Sequence, residues 1–405
     1  MRYTKLIACF VCIFGVILLS STSIIFSQPD ASVPQQVSET DSLVDMVLES
    51  AEVCSHIFQR TEVGSSFNVV LSDQTISEMV NDVAALGFAV IDQDGSLDMR
   101  NPESMIAYGK AIENGRSYDI SPVYFTIYRD GHIGAAQFNG TQLRSLSADF
   151  TTTPEIYIDI VTDLNSISFT DKGWLIYERD LSGQNSTKAF NLDPHTMVRI
   201  APLSDDLRSL CNTYIVSIGY SENNLFTIDW SESSPQVPDL ASLYAMLFGL
   251  EHNGETLTWY SAKKYYPQVP DSNLFLIPQA EFEETIQTYL NIPTSAIRSI
   301  PEYNASAKAY YFLGWQTGYY SVVPRIPIPE VVDARTNSDG TITRVTDAVF
   351  SWYGTDRAFR HEVTVRPNSN GSFQYVGNKV VEDDDNIFYD CLLPLHRQAE
   401  LLRMQ

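Results

Sequence analysis

The chain has 405 residues, with 26 basic against 50 acidic side chains and a net charge of −24. At ~100–200 residues per domain, that length predicts two or three domains, and 44% hydrophobic residues supply enough apolar surface for a sizeable core. The acidic balance excludes a nucleic-acid-binding surface and disfavours a polybasic lipid contact, because both need basic groups against phosphate.

Arg2 and Lys5 precede an uncharged run from Leu6 to Phe26. As a helix at ~1.5 Å per residue this run reaches roughly 30 Å, enough to cross a bilayer core. Two readings stay open for residues 1–27. One is a signal peptide cut within Ser20–Ser27, and the other is an uncleaved membrane anchor. Either exports the remainder, with a single membrane segment at most. The expected location is the extracytoplasmic face of the cell membrane, or secretion if the segment is cleaved. Residues 28–42 are polar, contain Pro29 and Pro34, and read as a stalk.

Beyond the membrane segment only Cys54, Cys211 and Cys391 remain. Three cysteines make no disulfide framework, so the exported part relies on its core.

A first helix is capped by Asp41 or Ser42 and repeats Val44, Val47, Leu48, Ala51, Cys54 and Phe58 near helical period. On that stripe Cys54 reads as a small buried hydrophobe. A second helix is expected from the capping box Thr75-Ile76-Ser77-Glu78, with Gly87 as its stop. Phe88–Ile91 reads as a strand, and Asn101-Pro102 opens a third helix that Gly115 ends. Strands follow at Pro122–Tyr128, Ile133–Phe138, Glu155–Val161 and Gly173–Glu178, with turns at Asp130-Gly131 and Asn139-Gly140. Residues 43–200 thus form an α+β domain.

Residues 201–300 are helix-rich, with candidates at Leu207–Tyr214, Leu240–Leu250 and Ala280–Leu290. Residues 301–405 return to strands. Val331–Arg335 and Thr341–Val349 flank one polar turn, and His361–Val365 and Phe373–Val376 flank another. The fold class expected is α+β: antiparallel sheets with helices packed on one side, in two or three domains after an N-terminal membrane segment.

No pair of the six histidines has the i, i+4 spacing of a zinc peptidase, and His361-Glu362 falls in an expected strand. There is no G-x-S-x-G elbow and no phosphate-cradling glycine loop. Asp92–Asp98 places three carboxylates around a glycine turn but lacks the Glu that closes a calcium loop. Glu382–Asp385 reads as a solvated loop. No catalytic residue, metal site or cofactor is indicated.

Aromatics are the most suggestive feature, at 12% of the chain with 22 tyrosines. They cluster at Trp259-Tyr260 with Tyr265-Tyr266, at Tyr310–Phe312 with Trp315, and at Tyr319-Tyr320. A flat ring with a polar tip suits a glycan or peptide surface, although aromatics also pack sheets. Trp259, Tyr260 and Trp315 are therefore the candidate ligand-binding residues.

Several segments occur together in order. They are Gly173-Trp174-Leu175-Ile176-Tyr177-Glu178, Val198-Arg199, Pro202-Leu203, and Tyr214-Ile215 with Ile218-Gly219-Tyr220. Asn223-Asn224-Leu225-Phe226 then precedes Asp229-Trp230, and Phe282-Glu283 precedes Tyr289 and Leu290. Over residues 70–390 the chain resembles an uncharacterised family, a domain of unknown function, of exported, membrane-anchored proteins of Gram-positive bacteria. The resemblance implies an extracytoplasmic anchored protein and supplies no activity, ligand or site residue. The function expected is an envelope protein with a binding or interaction role toward an envelope protein or glycan. The alternative is a cell-envelope hydrolase whose site is assembled from distant residues.

Overall fold

The computed structural model describes residues 41–61, 71–93, 98–117, 121–182, 194–220, 223–233, 238–252, 255, 257–313, 326–383 and 386. The expected membrane segment Leu6–Phe26, the stalk to residue 40, Trp315, Tyr319, Tyr320 and Cys391 lie outside them. So do the centre of the Asp92–Asp98 loop and Asp384-Asp385. Among the described residues no helix is long and apolar enough to cross a membrane. The fold is α+β with antiparallel sheets, and it divides into two compact units.

The first unit comprises the described residues of 41–202 with 351–354. Its elements are α1 (Ser42–Gln59), α2 (Asp73–Ala85), β1 (Ala89–Asp92), α3 (Glu103–Glu113), β2 (Val123–Ile127), β3 (His132–Asn139), β4 (Gln142–Asp149), β5 (Glu155–Phe169), β6 (Trp174–Arg179) and β7 (His195–Arg199). The seven strands lie in sequence order, β1 to β7. Each pairs antiparallel with the next except β1 and β2, which are parallel. A parallel pair needs a crossover, and α3 supplies it.

Alternate strand residues face opposite sides of the sheet. Phe125, Ile133 and Leu146 meet Val47, Ala51 and Cys54 of α1 and Met79, Val80 and Val83 of α2. Tyr124, Ala136 and Phe138 face the other way, where Met105 and Tyr108 of α3 cover them. Helices thus lie on both faces of this sheet, one more than the single side read from the sequence. Cys54 is fully buried, and burial pushes its thiol well above the ordinary range.

The start of α2 departs from the expected capping box. Ser72, not Thr75, is the cap: its hydroxyl accepts from the Thr75 N–H at 3.2 Å. Thr75 is already inside the first turn and buried, while Glu78 pairs with Arg60. Ser72→Ala is expected to cost about 1 kcal/mol of stability in denaturant unfolding.

The second unit comprises the described residues of 203–350 with those from 355 onward. It contains α4 (Asp205–Tyr214), β8 (Trp230–Ser231), α5 (Leu240–Glu251), α6 (Trp259–Tyr265), β9 (Leu274–Pro278), α7 (Gln279–Tyr289), α8 (Thr294–Ile297), β10 (Tyr303–Asn304), β11 (Ala309–Leu313), β12 (Ile328–Thr336), β13 (Ile342–Val349), β14 (Arg360–Pro367) and β15 (Phe373–Val380). One sheet runs β12-β13-β14-β15-β8 and a smaller one runs β10-β11-β9. The two expected polar turns join β12 to β13 and β14 to β15. Helix α5 is apolar nearly all round, and Leu243, Tyr244, Leu247 and Phe248 sink into the core as that composition requires.

Candidate functional site

Two of the three aromatic candidates sit side by side on α6. Its N-terminus is fixed by a reciprocal box. The Thr258 hydroxyl accepts from the Ser261 N–H at 3.3 Å, and the Ser261 hydroxyl accepts from the Thr258 N–H at 2.7 Å. Ala262 is fully buried beneath the helix.

The C-terminal end is held by phenols. Tyr265 donates to Glu255 at 2.5 Å, and Lys264 donates to the Tyr265 oxygen at 2.7 Å. The Tyr265 hydrogen bond, then Lys264, hold the Glu255 carboxyl below its usual range. Tyr266 donates to Glu281 at 2.5 Å and lies 2.9 Å from the Tyr244 hydroxyl. Burial pushes both the Tyr244 and Tyr266 phenols far up, so they stay protonated donors.

On this fixed platform Trp259 is half-buried against the core. Its indole N–H is buried and, among the described residues, has no hydrogen-bond partner, and the Lys263 ammonium lies 3.2 Å above the ring centroid. Tyr260 is different: it is 64% exposed, and its ring stands edge-on to Trp259 with centroids 5.0 Å apart. The pair forms a ledge in which Trp259 is the buttress and Tyr260 offers the open face. Lys263 and Lys264 supply exposed ammonium donors beside it. Such a surface stacks against the C–H face of a sugar or a planar group while the phenol tip and amines bond to hydroxyls.

The pairing of Trp259 with Tyr260 was legible from their adjacency. Glu255, Tyr244 and Glu281, which hold the platform, were not, because they come from separate elements. The Thr258-x-x-Ser261 spacing was the one local signal for the helix start.

Other chemistry-bearing groups lie elsewhere. His361 is fully buried between the Tyr220 hydroxyl at 3.0 Å and Asn378 at 2.8 Å. His132 meets Asp130 at 2.9 Å and Asp149 at 3.9 Å, and the Asp130 hydrogen bond raises its pKa. An open cleft of about 560 Å³ separates Asp229 from Glu382 and Asp383. Two of its carboxylates are already engaged, Asp229 by the Val380 N–H at 2.7 Å and Asp383 by Arg357. Among the described residues no group of three His, Cys, Asp or Glu side chains is placed to hold a metal ion. Cys211 is buried, donates to the Pro329 carbonyl at 3.2 Å, and is pushed up to about 11 by burial.

The model of a family of unknown function (DUF6070) matches residues 40–390. No curated protein and no solved structure matches the chain significantly.

Proposed function

We propose an envelope-binding role for this chain, which belongs to the family of unknown function DUF6070. In this reading it stands on the extracytoplasmic face, anchored or secreted through residues 1–27, and takes an envelope glycan on the α6 ledge. One observation carries the reading. Tyr260 is 64% exposed while the helix beneath it is fixed at both ends by side-chain hydrogen bonds. A large ring held out from a rigid support loses little conformational freedom on binding. The charge of −24 selects against polyanions at long range, which favours a neutral sugar chain over a polyphosphate.

The test is cosedimentation of the full chain with insoluble wall glycan. Tyr260→Ala is expected to weaken retention about tenfold, ~1.4 kcal/mol, while Tyr260→Trp retains it. Thermal unfolding of Tyr260→Ala should stay within ~0.5 kcal/mol of the parent, because the ring is a surface group. Equal retention of parent and Tyr260→Ala removes the ledge from the account.

A further inference from the structure

Strand β5 is 15 residues long, yet its two neighbours divide it. β4 pairs with residues 155–163 around a bulge at Tyr157, and β6 pairs only from Leu164 onward. Among the described residues, no strand therefore pairs with the outer edge of residues 155–162. Two hydrogen bonds fix which groups face outward. The Leu164 N–H points to β4, donating to the Thr141 carbonyl at 2.7 Å. The Asp163 carbonyl points the other way, accepting from the Asp180 N–H at 2.8 Å. N–H and C=O groups alternate sides along a strand. Ile158, Ile160 and Thr162 therefore bond to β4, and the backbone groups of Asp159 and Val161 face the open edge.

Protein edges of this length are usually guarded by lysine, proline or a covering element. Here the stretch Glu155-Ile156-Tyr157-Ile158-Asp159-Ile160-Val161-Thr162-Asp163 contains neither. It exposes two large apolar side chains, Tyr157 at 50% and Val161 at 56%. Its charges are all acidic: Glu155, Asp159 and Asp163 are exposed. The adjacent Arg144 is shared between Asp159 at 2.7 Å and Asp41 at 2.6 Å, so it offsets only part of this field.

A second copy of the chain is a poor occupant. Antiparallel self-pairing centred on Asp159 or on Val161 sets carboxylate against carboxylate, and every register brings three more acids and no base. Like charges directly opposite are destabilising across a strand pair. We infer that the open edge of β5 adds a strand from a partner protein, an extended segment with basic residues four apart and apolar residues between them. Backbone hydrogen bonds to Asp159 and Val161 supply the docking, and the acids select the sign of the partner.

The experiment uses the full chain and two nine-residue peptides with threonine at even positions. One has lysine or valine at odd positions, with lysines four apart, and the other has glutamate for each lysine. The lysine peptide is expected to slow amide exchange at Asp159 and Val161 at least tenfold, leaving the already protected Ile158 and Ile160 unchanged. Val161→Pro removes an outward N–H and is expected to abolish that binding. Asp163→Lys, which keeps the edge intact, is expected to weaken the lysine peptide at least tenfold and to strengthen the glutamate peptide. Equal binding of both peptides, protection elsewhere, or dimerisation through β5 overturns the proposal.

Discussion

Gly173→Ala is expected to destabilise the first unit by about 3 kcal/mol or more. Gly173 closes the turn between β5 and β6 with φ +86°, a left-handed conformation that costs a residue with a side chain roughly 1–2 kcal/mol. Its surroundings add a second penalty. The carbonyl of Gly173 accepts from the N–H groups of Ile200 at 3.0 Å and Ala201 at 3.2 Å, so the end of β7 lies directly on it. A Cβ at this position would stand 1.8 Å from the Ala201 carbonyl oxygen and 2.7 Å from its carbon. These are backbone atoms and cannot rotate away. Forcing them apart costs ~1–3 kcal/mol on the scale of overpacked cores and loosens β7. Gly140→Ala separates the two causes, because φ there is +59° and a Cβ meets nothing within 4 Å among the described residues. It should cost only ~1–2 kcal/mol. At ~2–4 °C per kcal/mol, calorimetry should show Gly173→Ala melting roughly 6–12 °C lower, well below Gly140→Ala. Equal losses in the two variants would show that the Ala201 contact carries no weight.

The second unit is expected to lose stability in acid through one histidine. Asn378 donates its amide to the Ile228 carbonyl at 2.9 Å, which leaves its oxygen to accept from His361 Nδ1. The proton of the neutral ring therefore sits on Nδ1, and Nε2 accepts from the Tyr220 hydroxyl. Phe226 stacks on the ring with centroids 5.2 Å apart. Burial of the ring is the largest influence and outweighs the Asn378 hydrogen bond and the nearby Asp347 charge, which act the other way, so the pKa is lowered to about 4. The unfolded value is ~6.5, so the folded state resists protonation. The contribution is complete above pH ~6.5 and is lost as pH falls toward about 4. At ~1.4 kcal/mol per pKa unit the whole interval amounts to roughly 3 kcal/mol. Carboxylates titrate over the same range, so the useful quantity is a difference. Urea unfolding from pH 7 to 4.5 should show the parent losing roughly 2.5 kcal/mol more than His361→Gln. Parallel pH profiles would contradict a buried neutral imidazole.

Much of the fold was legible because local physics and global packing agree. The 3.6-residue stripe of α1 and the apolar content of α5 both meet a core, and each polar turn expected in the C-terminal half joins a hairpin. Elements were missed where that agreement is weak. β4 reads Gln-Leu-Arg-Ser-Leu-Ser-Ala-Asp, whose serines hide a strand that buries Leu143, Leu146 and Ala148. α6 is seven residues long and rich in aromatics, so neither length nor period marked it as a helix. Arg344 breaks the rule that charges stay outside. It is fully buried on β13, stacks 3.6 Å over the Tyr214 ring and donates to the Ile342 carbonyl. No spacing in the sequence announces that contact, since Tyr214 comes from α4. The ledge itself was half legible: adjacency gave Trp259 with Tyr260, but only the structure separates the buttress from the open ring.

The binding role rests on Tyr260, so the direct measurement is photo-crosslinking from that position in living cells. Tyr260 is replaced by a benzophenone-bearing amino acid in the full chain, with Tyr157 replaced in parallel as an exposed control. The expected result is an adduct from position 260 that collapses to a small remnant when wall glycan is digested, and none of that kind from position 157. Adducts at position 260 that resist glycan digestion, or that match those from position 157, would contradict it.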